Sequence, residues 1–217
     1  MILVCGGIKG GVGKSTLATN LVIMRAQQGK DVLLVDADDQ GTSSDFTAIR
    51  NDALGNAGYT AIKLMGSAVR TEVLRMKDKY DDVVIDVGGR DTAGQRAALS
   101  VADIYLVPFL PGSFDVWTLE SVGDLVQEAI AFNPTLKAFC LINRADAKGI
   151  DNFEAAQIAK ETQGLEFLDT PLGNRKAFRS AAAQGLAVVE LKPTDSKAVN
   201  EIKRLFRSLF EVALKSI

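Results

Sequence analysis

Along the chain, short unbroken apolar runs alternate with longer stretches in which apolar residues recur every three or four positions. The runs at 2–6, 32–36, 83–87, 104–108 and 138–142 have the length and apolar continuity of strands buried on both faces, and weaker ones lie near 59–63 and 165–168. Stretches with helical spacing cover 15–28, 67–79, 91–101, 115–131, 151–162, 175–184 and 195–215. Strand–helix alternation from end to end predicts an α/β fold, a twisted and mostly parallel sheet flanked by helices on both faces. In the last stretch Val199, Ile202, Leu205, Phe206, Leu209 and Phe210 share one face, and Thr194-Asp195-Ser196 just before it is a helix-start signal. No repeat, linker or low-complexity run breaks the pattern, so one domain spanning 1–217 is expected.

Composition narrows the chemistry. The chain is 47% hydrophobic and 24% charged with a net charge of −2, so any contact with nucleic acid must come from a local basic patch. It contains no histidine, which excludes Ser-His-Asp and Cys-His catalysis and histidine-ligated zinc. Its two cysteines, Cys5 and Cys140, lie inside predicted strands without metal-ligand spacing and read as small core residues in a reducing compartment. The opening apolar run stops at Gly6-Gly7, too soon for a signal peptide. No run approaches the roughly eighteen apolar residues of a membrane span. The expectation is a soluble cytoplasmic protein.

The most informative segment joins the first strand to the first helix: Lys9-Gly10-Gly11-Val12-Gly13-Lys14-Ser15-Thr16. Glycines there let backbone N–H groups approach phosphate oxygens, and the following helix N-terminus favours an anion. Lys14 can then reach the β- and γ-phosphates, and the Ser15 hydroxyl can ligate Mg²⁺. Ile8 stands where the strict GxxxxGKS/T pattern has glycine, and a second lysine, Lys9, opens the loop. The second strand ends in Asp36-Ala37-Asp38-Asp39-Gln40, at the edge where parallel sheets bind ligands. The third strong run ends in Asp86-Val87-Gly88-Gly89, the arrangement in which a strand-end carboxylate holds magnesium. A further strand ends in Asn143-Arg144-Ala145-Asp146.

KGGVGKST resembles the deviant phosphate loop of the ParA/MinD ATPases, and with the two aspartate motifs the chain resembles that family over nearly its whole length. The resemblance implies a single-domain P-loop NTPase of the short ParA form, without an N-terminal helix-turn-helix extension. It implies ATP and Mg²⁺ as cofactors and slow intrinsic hydrolysis. Residues 9–16 would hold the nucleotide, with Lys9 reaching the partner's nucleotide across a homodimer. Asp38 would orient the attacking water, and Ser15, Asp36 and Asp86 would surround the metal. The second aspartate segment is similar to the family's DxDPQ pattern, with Asp39 in place of proline. Asn143 and Arg144, with the loop at Pro171, would lie beside the adenine; the same segment also resembles the NKxD guanine-reading motif.

The C-terminal part resembles the ParA region that binds DNA non-specifically, which implies contacts from Arg175, Lys176, Arg179, Lys203, Arg204 and Arg207. By the same resemblance the ATP-state dimer would be associated with the nucleoid. It would segregate plasmid or chromosomal DNA marked by a ParB-type partner that stimulates hydrolysis. Two alternatives stay open: positioning of a protein cargo such as carboxysomes or chemoreceptor clusters, and a MinD-like membrane-associated ATPase using the basic amphipathic stretch 203–210. Glu201, Glu211 and the helix-start signal weigh against the membrane.

Overall fold

The structure, a computed structural model, describes residues 1–90, 92, 93–112, 117–146 and 150–210. Among these, eight strands form one sheet: β1 (Ile2–Cys5), β2 (Val32–Ala37), β3 (Thr60–Lys63), β4 (Asp82–Val87), β5 (Ile104–Phe109), β6 (Lys137–Ala145), β7 (Glu166–Phe167) and β8 (Leu172–Gly173). They lie in the order β3-β2-β4-β1-β5-β6-β7, with β8 also on β6, and every pairing is parallel. Helices follow the strands: α1 (Lys14–Ala26), α2 (Thr42–Leu54), α3 (Ala68–Met76), α4 (Ala93–Leu99), α5 (Thr118–Ile130), α6 (Asp151–Glu161), α7 (Lys176–Ala182) and α8 (Ser196–Phe210).

The alternation of side chains along buried strands explains the two-sided core. In β1, Ile2 and Val4 face the layer that includes Val69, Val73, Leu99, Leu119 and Ala155 from α3 to α6. Leu3 and Cys5 face the layer formed by α1, α7 and α8, with Leu17, Leu21, Phe178, Ile202 and Leu205. All four β1 residues are buried. Cys5 and Cys140 are buried free thiols, and burial pushes Cys140 up to about 12, which leaves it unreactive.

The final helix obeys its periodicity. Asp195 caps it, its Oδ1 accepting from the backbone N–H of Lys197 and of Ala198, both at 3.1 Å. Ile202, Leu205, Phe206, Leu209 and Phe210 are buried under α8, while Lys203, Arg204 and Arg207 are exposed. Each large apolar side chain so buried stabilises the fold by about 2 kcal/mol. Lys215 and Glu211 lie outside the described residues.

Helix α2 has no counterpart among the periodic stretches of the sequence. Its buried positions are Ser43, Phe46, Thr47 and Arg50, of which one is apolar. Polar anchors replace the missing apolar stripe. Near its C-terminal end Arg50 donates to the carbonyls of Ala57 (2.7 Å) and Gly185 (2.8 Å) and forks onto Glu190 at 2.8 and 2.9 Å. Gly185 permits that contact, since a Cβ there would lie 2.5 Å from the Arg50 Cα. Burial raises the Glu190 carboxyl, but the bonds from Arg50, the Ala187 N–H and Gln27 outweigh it and hold the group below its usual range.

Candidate nucleotide-binding site

Strands β1, β2 and β4 end side by side, Cys5 opposite Asp86 and Asp86 opposite Asp36, so the loops that follow them converge at one edge of the sheet. The loop after β1 runs from Gly6 to Gly13 and delivers the chain into α1 at Lys14. Gly13 makes the turn in a left-handed conformation (φ 102°, ψ 20°), and a Cβ there would meet the Asn143 amide nitrogen at 2.2 Å. The Lys14 ammonium is buried beneath the loop and donates to the Lys9 carbonyl at 2.8 Å, which folds the loop around it. Burial lowers the Lys14 pKa, and the Asp86 and Asp38 carboxylates oppose that shift.

Next to Lys14 lies a fully buried carboxylate. Asp86 accepts from the Ser43 hydroxyl through Oδ2, and the Ser15 hydroxyl also bonds to this carboxylate. Burial, reinforced by Asp36 and opposed by the Ser43 and Ser15 bonds and by Lys14, leaves Asp86 raised to about 6. Its Oδ1 has no hydrogen-bond partner. An orphaned buried carboxylate oxygen next to a phosphate-loop hydroxyl is a fitting donor set for Mg²⁺. Among the described residues no cluster of three acidic, cysteine or histidine side chains could hold a metal alone, so phosphate oxygens and water would complete the shell.

Asp36 is held by protein hydrogen bonds on both carboxylate oxygens. Its Oδ2 accepts from the Ser44 N–H (2.8 Å) and hydroxyl (2.6 Å), and its Oδ1 from the Asp38 N–H (3.1 Å). It therefore ties the start of α2 and the segment after β2 to the sheet edge, and any part in a metal's shell would run through water. Asp38 Oδ1 accepts from the Gln40 N–H at 3.1 Å and would lie 3.2 Å from a Cβ on Gly88.

Two cavities flank the loop. One, of about 570 Å³, is walled by Gly10, Asp38, Asp39, Gly88, Gly89 and Arg90 among others. The second, of about 300 Å³, meets the loop at its C-terminal end and is walled by Gly13, Thr16, Asn143, Arg144, Leu172, Phe178 and neighbours. Asn143 ends up buried; its amide donates to the Val12 carbonyl at 2.7 Å and accepts from the Arg144 N–H at 2.9 Å, bracing the loop from below. Arg144 takes a positive φ of 53° where β6 bulges toward β8. Pro171 precedes β8, and Leu172, Gly173 and Asn174 line the cavity in its place.

The predicted basic patch divides. Lys176, Arg179, Lys203, Arg204 and Arg207 are exposed. Arg175 is also engaged within the protein: its guanidinium forks onto Glu201, Nε donating to Oε2 at 2.8 Å and Nη2 to Oε1, while the Gly173 N–H bonds to the same carboxylate at 3.1 Å. That bridge clamps α8 to β8 and turns Arg175 toward the second cavity, which Arg179 also lines. Sequence reasoning missed Ser43, Ser44 and Gln95, which hold the site together. Thr92 caps α4 by accepting from the Gln95 N–H at 3.1 Å. The T-x-x-Q spacing of Thr92 and Gln95 was the available signal for that cap.

Comparison with known proteins agrees with this geometry. A family model, CbiA, the CobQ/CobB/MinD/ParA nucleotide binding domain, matches residues 2–188. The chain is 28% identical over 211 residues to the maintenance of carboxysome distribution protein A of Halothiobacillus neapolitanus, covering 95% of each chain. It is 30% identical to the protein of the same name from Gloeobacter kilaueensis over 192 residues, 87% of this chain and 84% of that one. Its fold is similar to that of a Cyanothece McdA variant solved with ATP, with a TM-score of 0.77 at 18% identity over 96% of this chain and 95% of the other. With a strand-to-helix phosphate loop, a strand-end aspartate behind it and a family match over most of its length, the chain belongs to the CobQ/CobB/MinD/ParA family of nucleotide-binding domains.

Proposed function

We propose that this chain is a ParA-like ATPase that self-associates when it holds ATP, rides on DNA in that state, and positions a large protein assembly through an adaptor that triggers hydrolysis. The observation that carries the choice of cargo is its similarity, over nearly full length, to two proteins named for carboxysome distribution. That moves the weight from plasmid or chromosome segregation, the first expectation, toward protein cargo such as carboxysomes.

In this reading the amides of residues 10–16 cradle the phosphates, and Lys14 neutralises charge that builds up on the departing diphosphate. When bound to Ser15 and Asp86, Mg²⁺ would supply further neutralisation of the β- and γ-phosphate oxygens. Asp38, at the mouth of the larger cavity, orients the attacking water. Lys9, half-buried at the loop's start, reaches the nucleotide of a second copy. The base lies in the smaller cavity beside Asn143 and Arg144.

The loop's position depends on Gly89, whose Cβ would fall 2.6 Å from the Gly10 nitrogen and 2.7 Å from the Lys9 carbonyl carbon. Gly89→Ala should therefore displace the phosphate loop and weaken nucleotide binding on the order of 10- to 100-fold. Titration calorimetry with ADP reads this directly; unchanged affinity would mean that the loop does not hold the phosphates.

DNA would be gripped by Lys176, Arg179, Lys203, Arg204 and Arg207, on the outer surfaces of α7 and α8. The apolar face of α8 is buried against the sheet, with Ile202 and Leu205 fully covered, so it is not available to lipid as a MinD-like anchor would require. The test is retention on immobilised random duplex with Mg·ATP. Arg204→Glu with Arg207→Glu should lower affinity at least 10-fold. The same pair should flatten the plot of log affinity against log salt by about 2 per protomer, without changing self-association. Equal retention of the double variant would remove this face from the proposal.

A further inference from the structure

One charged side chain at the larger cavity has no part in the reading above. Arg90 is exposed, lines the cavity with Gly10, Asp38 and Gly88, and its guanidinium forms no ion pair with any described residue. It follows directly on Gly89, whose backbone packs against Lys9 and Gly10 of the phosphate loop. The Arg90 backbone is tied to that loop a second time. The fully buried Gln95 amide, in the orientation that satisfies both its ends, donates to the carbonyls of Arg90 (3.3 Å) and Gly7 (3.2 Å) and accepts from the Tyr105 hydroxyl (3.2 Å). The root of this arginine is thus held in register with the amides that bind phosphate.

Geometry decides which phosphate it meets. The two cavities meet the loop at different points, the smaller at Gly13 and Thr16, the larger at Gly10. A nucleotide whose base occupies the smaller one and whose phosphates follow the loop from Thr16 back to Gly10 brings its terminal phosphate to the larger. There the other charged lining groups among the described residues are the carboxylates of Asp38 and Asp39, which repel a phosphate. A guanidinium is the group best suited to offset that repulsion, because its planar fork matches two phosphate oxygens. We propose that Arg90 binds the terminal phosphoryl group of the nucleoside triphosphate, making it the residue through which this site distinguishes triphosphate from diphosphate. The inference rests on the nucleotide reading and adds a specificity-determining residue to it.

The experiment measures binding of ADP and of a non-hydrolysable ATP analogue, each with Mg²⁺, to the parent chain, Arg90→Ala and Arg90→Lys. Loss of a charged hydrogen bond predicts that Arg90→Ala weakens analogue binding on the order of 10-fold or more, while ADP affinity stays within about twofold. Arg90→Lys should recover part of the loss, because it keeps the charge without the fork. Parent-like affinity for both nucleotides in Arg90→Ala would overturn the assignment while leaving the phosphate loop intact. Equal loss for both nucleotides would overturn it too, by reducing Arg90 to a support of the loop. A parent chain that binds neither nucleotide would instead bring down the nucleotide reading and this inference with it.

Discussion

Lys14→Ala is expected to lower ATP hydrolysis on the order of 100- to 1000-fold and to weaken nucleotide binding strongly, so that binding and turnover are lost together. The reason lies in how the ammonium is held. Lys14 is buried, its proton-bearing nitrogen is fixed on the Lys9 carbonyl at 2.8 Å, and its charge is sustained by Asp86 and Asp38 against the pull of burial. Such a cation is already in place, with its solvation exchanged for protein dipoles before phosphate arrives. Steady-state phosphate release and ADP calorimetry provide the check, with circular dichroism to confirm that the variant is folded. Turnover at the parent rate would contradict the assignment of the loop.

Asp38→Ala should separate binding from hydrolysis. Hydrolysis should fall on the order of 100- to 10,000-fold if the carboxylate orients water and receives its proton, while ATP affinity stays near that of the parent. Binding survives because the segment is anchored through its backbone: the Asp38 N–H bonds to Asp36, and Asp36 bonds in turn to Ser44. Alanine loses only the bond that Oδ1 accepts from the Gln40 N–H. The variant should therefore accumulate in the triphosphate state. Single-turnover hydrolysis measured beside equilibrium ATP binding distinguishes this from a general loss of the site.

The sheet and most helices were legible because burial there is apolar and periodic. The runs at 32–36 and 83–87 became β2 and β4 with at most one residue added at either end. What escaped was held by polar contacts. Helix α2 buries Ser43, Thr47 and Arg50, so no apolar stripe marks it, and its N-cap is Gly41 in a left-handed turn without a capping side chain. Its position comes from Asp36 and Asp86, residues legible as site carboxylates but not as helix anchors. Arg175 reads as a surface charge until Glu201, 26 residues on, turns out to face it. The phosphate loop itself was legible because backbone geometry there demands particular residues at fixed spacing. Gln95 and Arg90 were not, since their importance depends on which loops the fold brings together.

The measurement that bears most directly on the whole account is the solution mass of Asp38→Ala by light scattering, without nucleotide, with Mg·ADP and with Mg·ATP. The account predicts one copy per particle in the first two conditions and two in the third. A single constant mass in all three would contradict it.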